Sequence, residues 1–494
     1  MGGRAAGLPR ARGRLELPGV PIPAAAGPDS GDAGTALDSV GVTDPDALQV
    51  LREVEAELDT RWPETKIAPS LERVKALMDV LGNPHRGYPV LHVTGTNGKT
   101  STTRMIDALL SRIGLRVGRF TSPHLQVVTE RIAIDGAPIS PERYVAAYRD
   151  LEPYVSMVDD ASDVRMSKFE VLAGMAYAAF AEAPVEAAVV EVGLGGGWDA
   201  TNVVDAEIAV IGPVAVDHVD YLGPDITGIA REKAGIIKPE SIALLAEQRP
   251  EVMQVLLERV AEVDATVARQ GSEFAVLNRD IAVGGQVLTL QGLGGVYDDI
   301  FLPLHGAHQA DNAARALAAV EAFFGAGADR QIDVEAVRQG FASVVVPGRL
   351  ERMRSAPSVF IDAAHNPHGA AALASALEDE FAFRRLVGVV GMMADKDAKG
   401  ILEALEPAVT DIILTRNTSP RAMDVDELAS IAQDIFGDER IVVEPRLDTA
   451  LETAVQLVEE VGDPNEPLAG GGIVVTGSVV TAGEARTLFG KVPA

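Results

Sequence analysis

The chain changes from strand to helix through a polar stretch that reads Val93-Thr94-Gly95-Thr96-Asn97-Gly98-Lys99-Thr100-Ser101. An apolar run over residues 88–93 leads into this stretch, and a segment with helical spacing follows it from Thr102. A strand, a glycine-containing turn and a helix start aim backbone N–H groups and the positive end of a helix at a phosphate chain. Lys99 adds a cation for the phosphates, and Thr100 adds a hydroxyl for a metal ion. The stretch therefore predicts a binding site for a nucleoside triphosphate.

This phosphate loop is shorter than the usual one, because Val93 stands where the standard pattern has its first glycine. The alternative interpretation is an ordinary tight turn with a chance lysine. The agreement of strand, turn chemistry and helix favours the phosphate loop. The short form, with Thr96 and Asn97 inside it, resembles the ATP loop of the Mur ligase superfamily, whose members form amide bonds at the expense of ATP.

Length and charge limit the class of protein. The 494 residues are too many for one core, so two or three domains are expected. The net charge of −29 disfavours nucleic acid and anionic membranes as partners. The longest apolar run, over residues 171–192, is interrupted by Glu182 and Glu186, so no membrane span is predicted. The chain has no cysteine, which excludes thiolate metal sites and fits a cytoplasmic location.

Composition and periodicity divide the chain into three parts. Residues 1–44 are predicted to be a disordered tail, because their first thirty residues are rich in Gly, Pro, Ala and Arg without periodicity. A secretory or transit peptide is the rival interpretation. Residues 45–346 predict an N-terminal, doubly wound α/β ATPase domain of the P-loop type, with an antiparallel meander over residues 274–304. Residues 347–494 repeat the alternation and predict a smaller C-terminal Rossmann-like α/β domain.

Polar residues follow the predicted strands at the place where open α/β sheets gather ligands. Ser122, Glu191 and His218 each end or follow such a strand, and glycines come directly after Glu191. A carboxylate in a buried strand is costly unless it is paired or bound to a metal, and the glycines let a ligand approach the backbone. The three side chains predict a Mg²⁺ site, since Mg²⁺ favours oxygen ligands. A structural role is the alternative for His218, because His is an unusual ligand for Mg²⁺.

Lys233 is followed by an apolar turn that reads Ala234-Gly235-Ile236-Ile237. Most lysines on a helix are solvated, but this neighbourhood predicts partial burial. Burial lowers the pKa of a lysine and keeps its amine neutral and reactive. A neutral amine combines with CO₂ to give a carbamate, an anion that helps to bind metal.

An ordered set of motifs resembles the bacterial bifunctional dihydrofolate synthase/folylpolyglutamate synthase family, from about residue 45 to the C-terminus. Each motif is weak alone, but the set in this order is highly specific. The motifs are Thr94 to Thr100, Ser122-Pro123-His124-Leu125, Phe169-Glu170, Glu191 to Gly196, Asp217-His218, Glu232 to Ile236, His305 to Asn312, Pro347 to Glu351 and Asp362 to Pro367.

The resemblance implies roles for the matching residues. ATP is held by Asn97, Gly98, Lys99, Thr100, Asn312, Arg349 and Asp362. Mg²⁺ is held by Ser122, Glu191 and His218, Lys233 matches a carbamylated lysine, and a monovalent cation is a further candidate ligand. The pterin site is lined by Ser167, Lys168, Phe169, Glu170, Trp198, Asp199 and Ala200, and the incoming glutamate meets His365 and Ser478. The residues implied in catalysis are Lys99, Lys233 and His365.

The reaction implied is the addition of L-glutamate to dihydropteroate and to tetrahydrofolate polyglutamates. A substrate carboxylate attacks the γ-phosphorus of ATP, and the glutamate amine then displaces phosphate from the acyl phosphate. The central domain binds ATP and folate, and the C-terminal domain is the glutamate-ligase domain. Closure of the two about Val346-Pro347 would protect the acyl phosphate from water. The expected oligomeric state is a monomer.

Gly197 departs from the family pattern, since many relatives have Arg there, and Arg is a natural partner for phosphate or carboxylate. Three alternatives follow from the residues. A Mur ligase proper needs a substantial N-terminal domain for its UDP-linked precursor, whereas only about 45 residues of helical character precede the loop. A nucleotide-operated switch would bind or hydrolyse ATP without responding to folates. An inactive homologue has Gly197 as its only support.

Overall fold

The phosphate-loop stretch joins the first strand of a parallel sheet to a helix, as the sequence predicts. The computed structural model describes residues 45–63, 68–325, 327, 330–459 and 470–494. The predicted disordered tail, residues 1–44, lies outside the described residues. None of the described helices is both long and apolar enough to cross a membrane.

The N-terminal lobe contains the phosphate loop, two sheets and the helices around them. Its helices are α1 Pro45–Leu58, α2 Glu72–Val80, α3 Lys99–Ile113, α4 Pro141–Asp160, α5 Lys168–Glu182, α6 Val219–Leu222, α7 Ile226–Ala234, α8 Pro250–Glu262, α9 Ala307–Phe323 and α10 Val334–Ala342. Its strands are β1 Val90–Thr94, β2 Val117–Phe120, β3 Ile132–Ile134, β4 Ala137–Pro138, β5 Ala187–Glu191, β6 Ile208–Ile211, β7 Ile242–Leu245, β8 Thr266–Arg269, β9 Ala275–Ala282, β10 Gly285–Gln291 and β11 Val296–Leu302.

The main sheet has the strand order β4-β3-β2-β5-β1-β6-β7-β8. All neighbours in it are parallel except the β2–β3 and β3–β4 pairs. Its central strands are buried on both faces, because Val90 of β1 packs with α1, α2, α4 and α5 while Leu91 packs with α3, α9 and α10. This two-sided burial explains why these strands are mostly apolar, with His92 and Thr94 of β1 as buried polar exceptions. β9, β10 and β11 form the predicted antiparallel meander, which packs beside the main sheet through α9.

The C-terminal lobe repeats the α/β pattern on a smaller scale. It contains β12 Glu351–Ser355, β13 Ser358–Ile361, α11 Pro367–Glu380, β14 Arg385–Val390, α12 Ala398–Leu405, β15 Asp411–Leu414, α13 Val425–Phe436, β16 Ile441–Val443, α14 Leu447–Glu459, β17 Gly471–Thr476 and α15 Val479–Leu488. The strand order is β12-β13-β17-β14-β15-β16, and only the edge strand β12 is antiparallel to its neighbour.

The predicted fold class is confirmed: two α/β lobes with mostly parallel sheets follow one another along the chain. The boundary at Val346-Pro347 stays a prediction, although it falls between α10 and β12. The sequence analysis did not identify the β3–β4 hairpin or the strands β7 and β8. These strands are only two to four residues long, too short for a periodic signal.

Candidate active site

The phosphate loop is shaped by Gly98, which precedes α3. Gly98 has φ +81°, in the left-handed region that glycine adopts without strain. A Cβ placed at Gly98 would lie 2.5 Å from Oδ1 of Asn312 in α9. Asn312 is oriented by Gln309, whose Oε1 accepts a hydrogen bond from Nδ2 of Asn312 at 3.0 Å. Two segments predicted to hold ATP, more than 200 residues apart in sequence, therefore meet at this glycine.

Two lysines donate to one backbone carbonyl of the loop. Nζ of Lys99 lies 3.2 Å from the Gly95 oxygen and 3.3 Å from the Thr96 oxygen. Nζ of Lys233, on α7, lies 3.0 Å from the same Gly95 oxygen. Lys233 is only 4% exposed, so it is buried more completely than the sequence predicts. Burial, assisted by the charge of Lys99, lowers the pKa of Lys233 to about 7.

The predicted metal ligands approach the loop from two neighbouring strands and a turn. Glu191, the last residue of β5, is 1% exposed and accepts hydrogen bonds from Oγ1 of Thr100 at 3.0 and 3.1 Å and from the Ser122 backbone N–H. Burial raises the pKa of Glu191, while Lys99 opposes that rise. His218 has φ +51°, and burial lowers its pKa to about 4, so its imidazole is neutral at neutral pH.

This donor set fits a hard cation that also takes oxygen atoms from its substrate. Among the described residues there is no group of three or more His, Cys, Asp or Glu placed to hold a metal ion. A site here would therefore draw on the Ser122 hydroxyl and on phosphate oxygens besides Glu191 and His218. Mg²⁺ is commonly bound by one or two carboxylates together with phosphates and waters.

Residues of the C-terminal lobe contact the phosphate loop directly. Asn97 and Asn366 exchange side-chain hydrogen bonds, each of 3.1 Å. Asn366 also donates to Oδ2 of Asp217 at 2.7 Å, and Nζ of Lys396 lies 3.3 Å from Oδ1 of Asp217. Asp217 and Asn366 stand within the family motifs without a predicted role, and no motif contains Lys396. These three residues are identified only by hydrogen bonds to partners that lie 149 to 269 positions away in the sequence.

Three further residues assigned from the resemblance are held in the C-terminal lobe. Nδ1 of His365 donates to the Ala363 oxygen at 2.9 Å, which leaves Nε2 as the acceptor, and burial lowers the pKa of His365 to about 4. The Asp362 carboxylate accepts the N–H groups of Leu350 and Ala364, at 2.8 Å each. Oγ of Ser478 caps α15 by accepting the Thr481 N–H at 3.0 Å.

The predicted pterin residues differ in what their side chains contact, since several of them also hold the turns and the helix start around the cavity in place. Phe169 stacks on the backbone of Gly193, where a Cβ would lie 2.4 Å from the ring. Ser167 and Glu170 form a capping box at the start of α5. Asp199 is 2% exposed and accepts the backbone N–H groups of Leu194 and Thr201, so it fixes the glycine-rich turn as well.

Lys168 does not line the cavity, contrary to the prediction. Its ammonium pairs with Glu55 at 2.8 Å and with Asp59 at 2.7 Å, both on α1. Two carboxylates satisfy this cation, so its side chain is directed to α1 and not to a substrate.

Two of the glycines after Glu191 pack against α7, whereas Gly193 lines the cavity, as the predicted approach of a ligand requires. A Cβ at Gly196 would lie 2.9 Å from the Glu232 oxygen and 3.0 Å from Cα of Lys233. The Gly197 N–H donates to the same Glu232 oxygen at 2.9 Å. Gly196 and Gly197 therefore let the turn pack against the helix that carries Lys233. A Cβ at Gly197 would meet the Glu232 carboxylate oxygen at 3.1 Å, so an arginine at 197 would stand beside a carboxylate.

A cavity of about 560 Å³ brings most of these residues together. This volume suits a cofactor-sized ligand. The cavity is lined by Asn97, Gly98, Lys99, Thr100, Ser122, Ser167, Phe169, Glu170, Glu191, Trp198, Asp199, Ala200, His218, Asn312, Arg349, Asp362, His365 and Ser478. Lys233 instead lines a small adjoining cavity of about 10 Å³ with Lys99, Asp217 and His218. Basic residues that the sequence analysis did not assign also line the large cavity, namely Arg73, Arg131, Arg165, Arg315, Lys396 and Arg421. These cations provide local positive charge around the cavity. Anionic ligands need it, because the chain as a whole has a net charge of −29.

Comparison with protein families matches two segments of the chain to Mur ligase domains. Residues 156–320 match the Mur ligase middle domain, and residues 348–478 match the Mur ligase glutamate ligase domain. Together with the phosphate loop and the shared cavity, these matches define an ATP-dependent ligase of the Mur ligase superfamily.

Comparison with individual proteins identifies the family within this superfamily. The chain is 58% identical over 483 residues to the dihydrofolate synthase/folylpolyglutamate synthase of Mycobacterium tuberculosis, with 94% of this chain and 98% of the relative covered. A Bacillus subtilis protein of the same name is 34% identical over 75% of this chain and 84% of its own length. The solved structure of M. tuberculosis folylpolyglutamate synthase complexed with ADP superposes with a TM-score of 0.87, at 58% identity, over 91% of this chain and all of that chain. Escherichia coli FolC in complex with DHPP and ADP gives a TM-score of 0.76 at 30% identity, over 89% and 97% of the two chains.

The chain therefore belongs to the dihydrofolate synthase/folylpolyglutamate synthase family. The predicted resemblance and the predicted ATP-dependent ligase activity are confirmed. Family membership favours this activity over a Mur ligase with a UDP-linked precursor and over a nucleotide-operated switch. The roles of individual site residues stay predictions.

Proposed function

We propose that this ligase adds L-glutamate both to dihydropteroate and to tetrahydrofolate polyglutamates, through an acyl phosphate. The observation that supports the proposal is one cavity shared by the phosphate loop of the N-terminal lobe and by His365 and Ser478 of the C-terminal lobe. Phe169 and Trp198 line the same cavity and offer aromatic surface to a flat pterin ring.

The first step is transfer of the γ-phosphoryl group of ATP to the substrate carboxylate, with ADP as the leaving group. Lys99 and the backbone N–H groups that begin α3 would neutralise charge on the transferred group. Ser122, Glu191 and His218 would hold Mg²⁺, which supplies further charge neutralisation when bound. Thr100 already donates to Glu191, so its hydroxyl is oriented toward the metal position.

The second step is attack by the glutamate amine on the acyl carbon, with loss of inorganic phosphate. We propose that His365 accepts the proton that this amine loses. Nδ1 of His365 donates to the Ala363 oxygen, so the lone pair of Nε2 is the acceptor. The pKa of about 4 keeps the imidazole unprotonated at neutral pH. Ser478 lines the same cavity and is proposed to lie next to the incoming amino acid, although its hydroxyl already donates to Oγ1 of Thr481 at 3.2 Å.

Lys233 is proposed to carry a carbamate. Its pKa of about 7 means that much of the amine is neutral at neutral pH, and the neutral amine is the form that attacks CO₂. It adjoins Lys99 and His218 around the small cavity, so an anion formed there would lie beside a cation and a proposed metal ligand.

The proposal is tested by ADP release from purified protein with ATP, Mg²⁺ and glutamate, using dihydropteroate, tetrahydrofolate or no acceptor. Glutamate-dependent release with both acceptors is expected. Release with tetrahydrofolate alone would restrict the activity to tail extension. Release that ignores the acceptor would contradict the proposal, and restoring arginine with Gly197→Arg would then separate a weak pterin site from a nucleotide switch. A monomeric state and a cytoplasmic location stay predictions from the sequence.

A further inference from the structure

The loop over residues 122–127 connects the cavity to the C-terminal lobe. At its front end, Ser122 and His124 line the cavity, and the Ser122 N–H donates to Glu191. At its back end, the carboxylate of Glu130 accepts the backbone N–H groups of Leu125, Gln126 and Val127, at 2.8 to 3.1 Å. Three hydrogen bonds to one buried carboxylate fix the shape of the loop. A displacement of the back end would therefore be transmitted to Ser122.

Helix α15 of the C-terminal lobe packs closely on this back end. A Cβ placed at Gly483 of α15 would lie 1.9 Å from the Leu125 oxygen. Gly348, with φ +67°, approaches the Leu125 side chain from another direction, and a Cβ there would lie 3.2 Å from it. Glycine at 483 permits a backbone contact between the lobes that a larger residue would prevent, and glycine at 348 leaves room for the Leu125 side chain.

Arg486 joins the two lobes at the same place. Its guanidinium donates to Oε1 of Gln126, to both carboxylate oxygens of Glu351 at 3.0 and 3.2 Å, and to the Val492 oxygen at 2.6 Å. Nε2 of Gln126 donates in turn to Oγ1 of Thr487 at 3.1 Å and to the Lys491 oxygen at 2.9 Å. The side chain of Arg486 is only 6% exposed, and it does not line the cavity. Glu351 belongs to the same lobe as Arg486 and holds its guanidinium next to Gln126.

The segment after α15 reaches the helix that starts at the phosphate loop. Arg104 of α3 donates to the Ala494 oxygen at 2.5 Å and to the Val345 oxygen, between the two lobes, at 3.2 Å. Arg104 lies about one and a half turns after Lys99 on the same helix. The C-terminal lobe thus contacts, from behind, both elements that present groups to the phosphates.

We propose that Gln126 and Arg486 are positioning residues, which couple closure of the C-terminal lobe to the placement of Ser122 at the phosphate side of the cavity. The proposal rests on the proposed function, because it assigns the metal and phosphate groups to the Ser122 loop. Neither residue lines the cavity. Gln126 acts through the loop, whereas Arg486 also contacts Glu351, whose carboxylate accepts the Gly348 N–H at 2.8 Å next to the cavity residues Arg349 and Leu350. The loop contact is therefore tested at Gln126 first. Docking of α15 would bring Ser122 into place at the moment when the glutamate side of the cavity is also in place.

The test compares Gln126→Ala with the matched control Gln254→Ala. Gln254 is an exposed residue of α8 whose amide contacts only Glu258, four residues away, among the contacts described. We expect Gln126→Ala to lower kcat by about 10- to 100-fold, the range expected for a small misplacement of reacting groups, and to raise the Mg²⁺ concentration needed for half-maximal rate. The melting temperature and the Kd for ATP without Mg²⁺ should stay close to the wild-type values.

Arg486→Lys and the double variant complete the test. The two single variants share the Arg486–Gln126 contact, which we expect to carry most of the effect on kcat, so the double variant should lose clearly less than the product of the two single losses. Gln126→Glu keeps an acceptor for Arg486 and should recover part of the rate. Unchanged kcat and Mg²⁺ dependence in Gln126→Ala would overturn the inference, and so would losses that multiply in the double variant. Absence of glutamate-dependent ADP release in the wild type and in Gln254→Ala would count against the proposed function instead.

Discussion

The backbone oxygen of Gly95 holds the side chains of two lysines, Lys99 and Lys233, close together in the site. The Gly95 carbonyl accepts from both Lys99 and Lys233, so two cationic groups are held close together in a buried place. Their mutual repulsion adds to burial and lowers the pKa of Lys233 to about 7, from an ordinary value of 10.5. The amine is therefore largely protonated below pH 7 and largely neutral above it.

Lys233→Met should lower kcat for ligation by about 100-fold or more, the scale of losing one preorganised electrostatic group. Lys399→Met, on an exposed helix face, is the control and should leave kcat unchanged. In wild-type enzyme depleted of CO₂, the activity regained on adding bicarbonate should increase as the pH rises through about 7, since carbamate forms from the neutral amine. Equal recovery at pH 6 and pH 8 would contradict a carbamate on Lys233.

At the scale of elements, the turn after β5 depends on its contact with α7. The two neighbouring glycines there differ in what a methyl group would meet. At Gly196 the obstacles are backbone atoms of Glu232 and Lys233, whereas at Gly197 the obstacle is the end of the Glu232 side chain, which can move. Gly196→Ala should lower the free energy of unfolding by about 1–3 kcal/mol, the usual effect of overpacking, and should also lower ligation. Gly197→Ala should change both little. Denaturant unfolding and kcat of the two variants check this difference, and equal effects would refute the assigned contact.

The central strands, the meander and the phosphate loop could be predicted because their signals are local, whereas β3, β4, β7 and β8 could not. Val189, Val190 and their neighbours are apolar and β-branched in a continuous run, and they form the buried strand β5. The contacts of Asn366 with Asn97, and of Lys396 with Asp217, depend on packing between distant segments, and no local pattern encodes them. Lys168 differs, because it lies next to a family motif and was predicted to line the pterin site. Its ammonium instead pairs with two carboxylates of α1, and no motif contains these carboxylates.

At the scale of the whole molecule, the cavity is complete only when both lobes contribute. Cysteines introduced on the two lobes and joined by a rigid cross-linker that holds the cleft open should abolish ligation, while ATP still binds the phosphate loop. The chain has no cysteine of its own, so the cross-link would be specific. A flexible linker of the same chemistry is the control. Ligation that persists with the rigid linker would show that lobe closure is dispensable.

Stability should depend on pH through two half-buried histidines that line the cavity. Desolvation lowers the pKa of His365 and of His308 to about 4 each, from an ordinary 6.5. Between pH 6.5 and 4 the unfolded chain binds protons at these positions and the folded chain does not, so their contribution to the free energy of unfolding falls as the pH decreases through this range. The melting temperature of His365→Gln should therefore decline less from pH 6.5 to pH 5 than that of the wild type. Parallel declines would contradict the low pKa.

The shared Gly95 oxygen has a consequence for the heat of nucleotide binding. When the phosphates of ATP neutralise Lys99, the repulsion that helps to hold down the proton affinity of Lys233 is relieved. In CO₂-free solution near pH 7, each nucleotide that binds should then draw a fraction of a proton from the buffer. Calorimetric enthalpies measured in phosphate and in Tris report the protons exchanged with the buffer, and the proton uptake assigned to Lys233 should be lost in Lys233→Met, while the exchange due to the phosphates of ATP remains. Binding of the nucleotide at Lys99 would thus be accompanied by proton uptake at Lys233, a residue that the nucleotide does not need to contact.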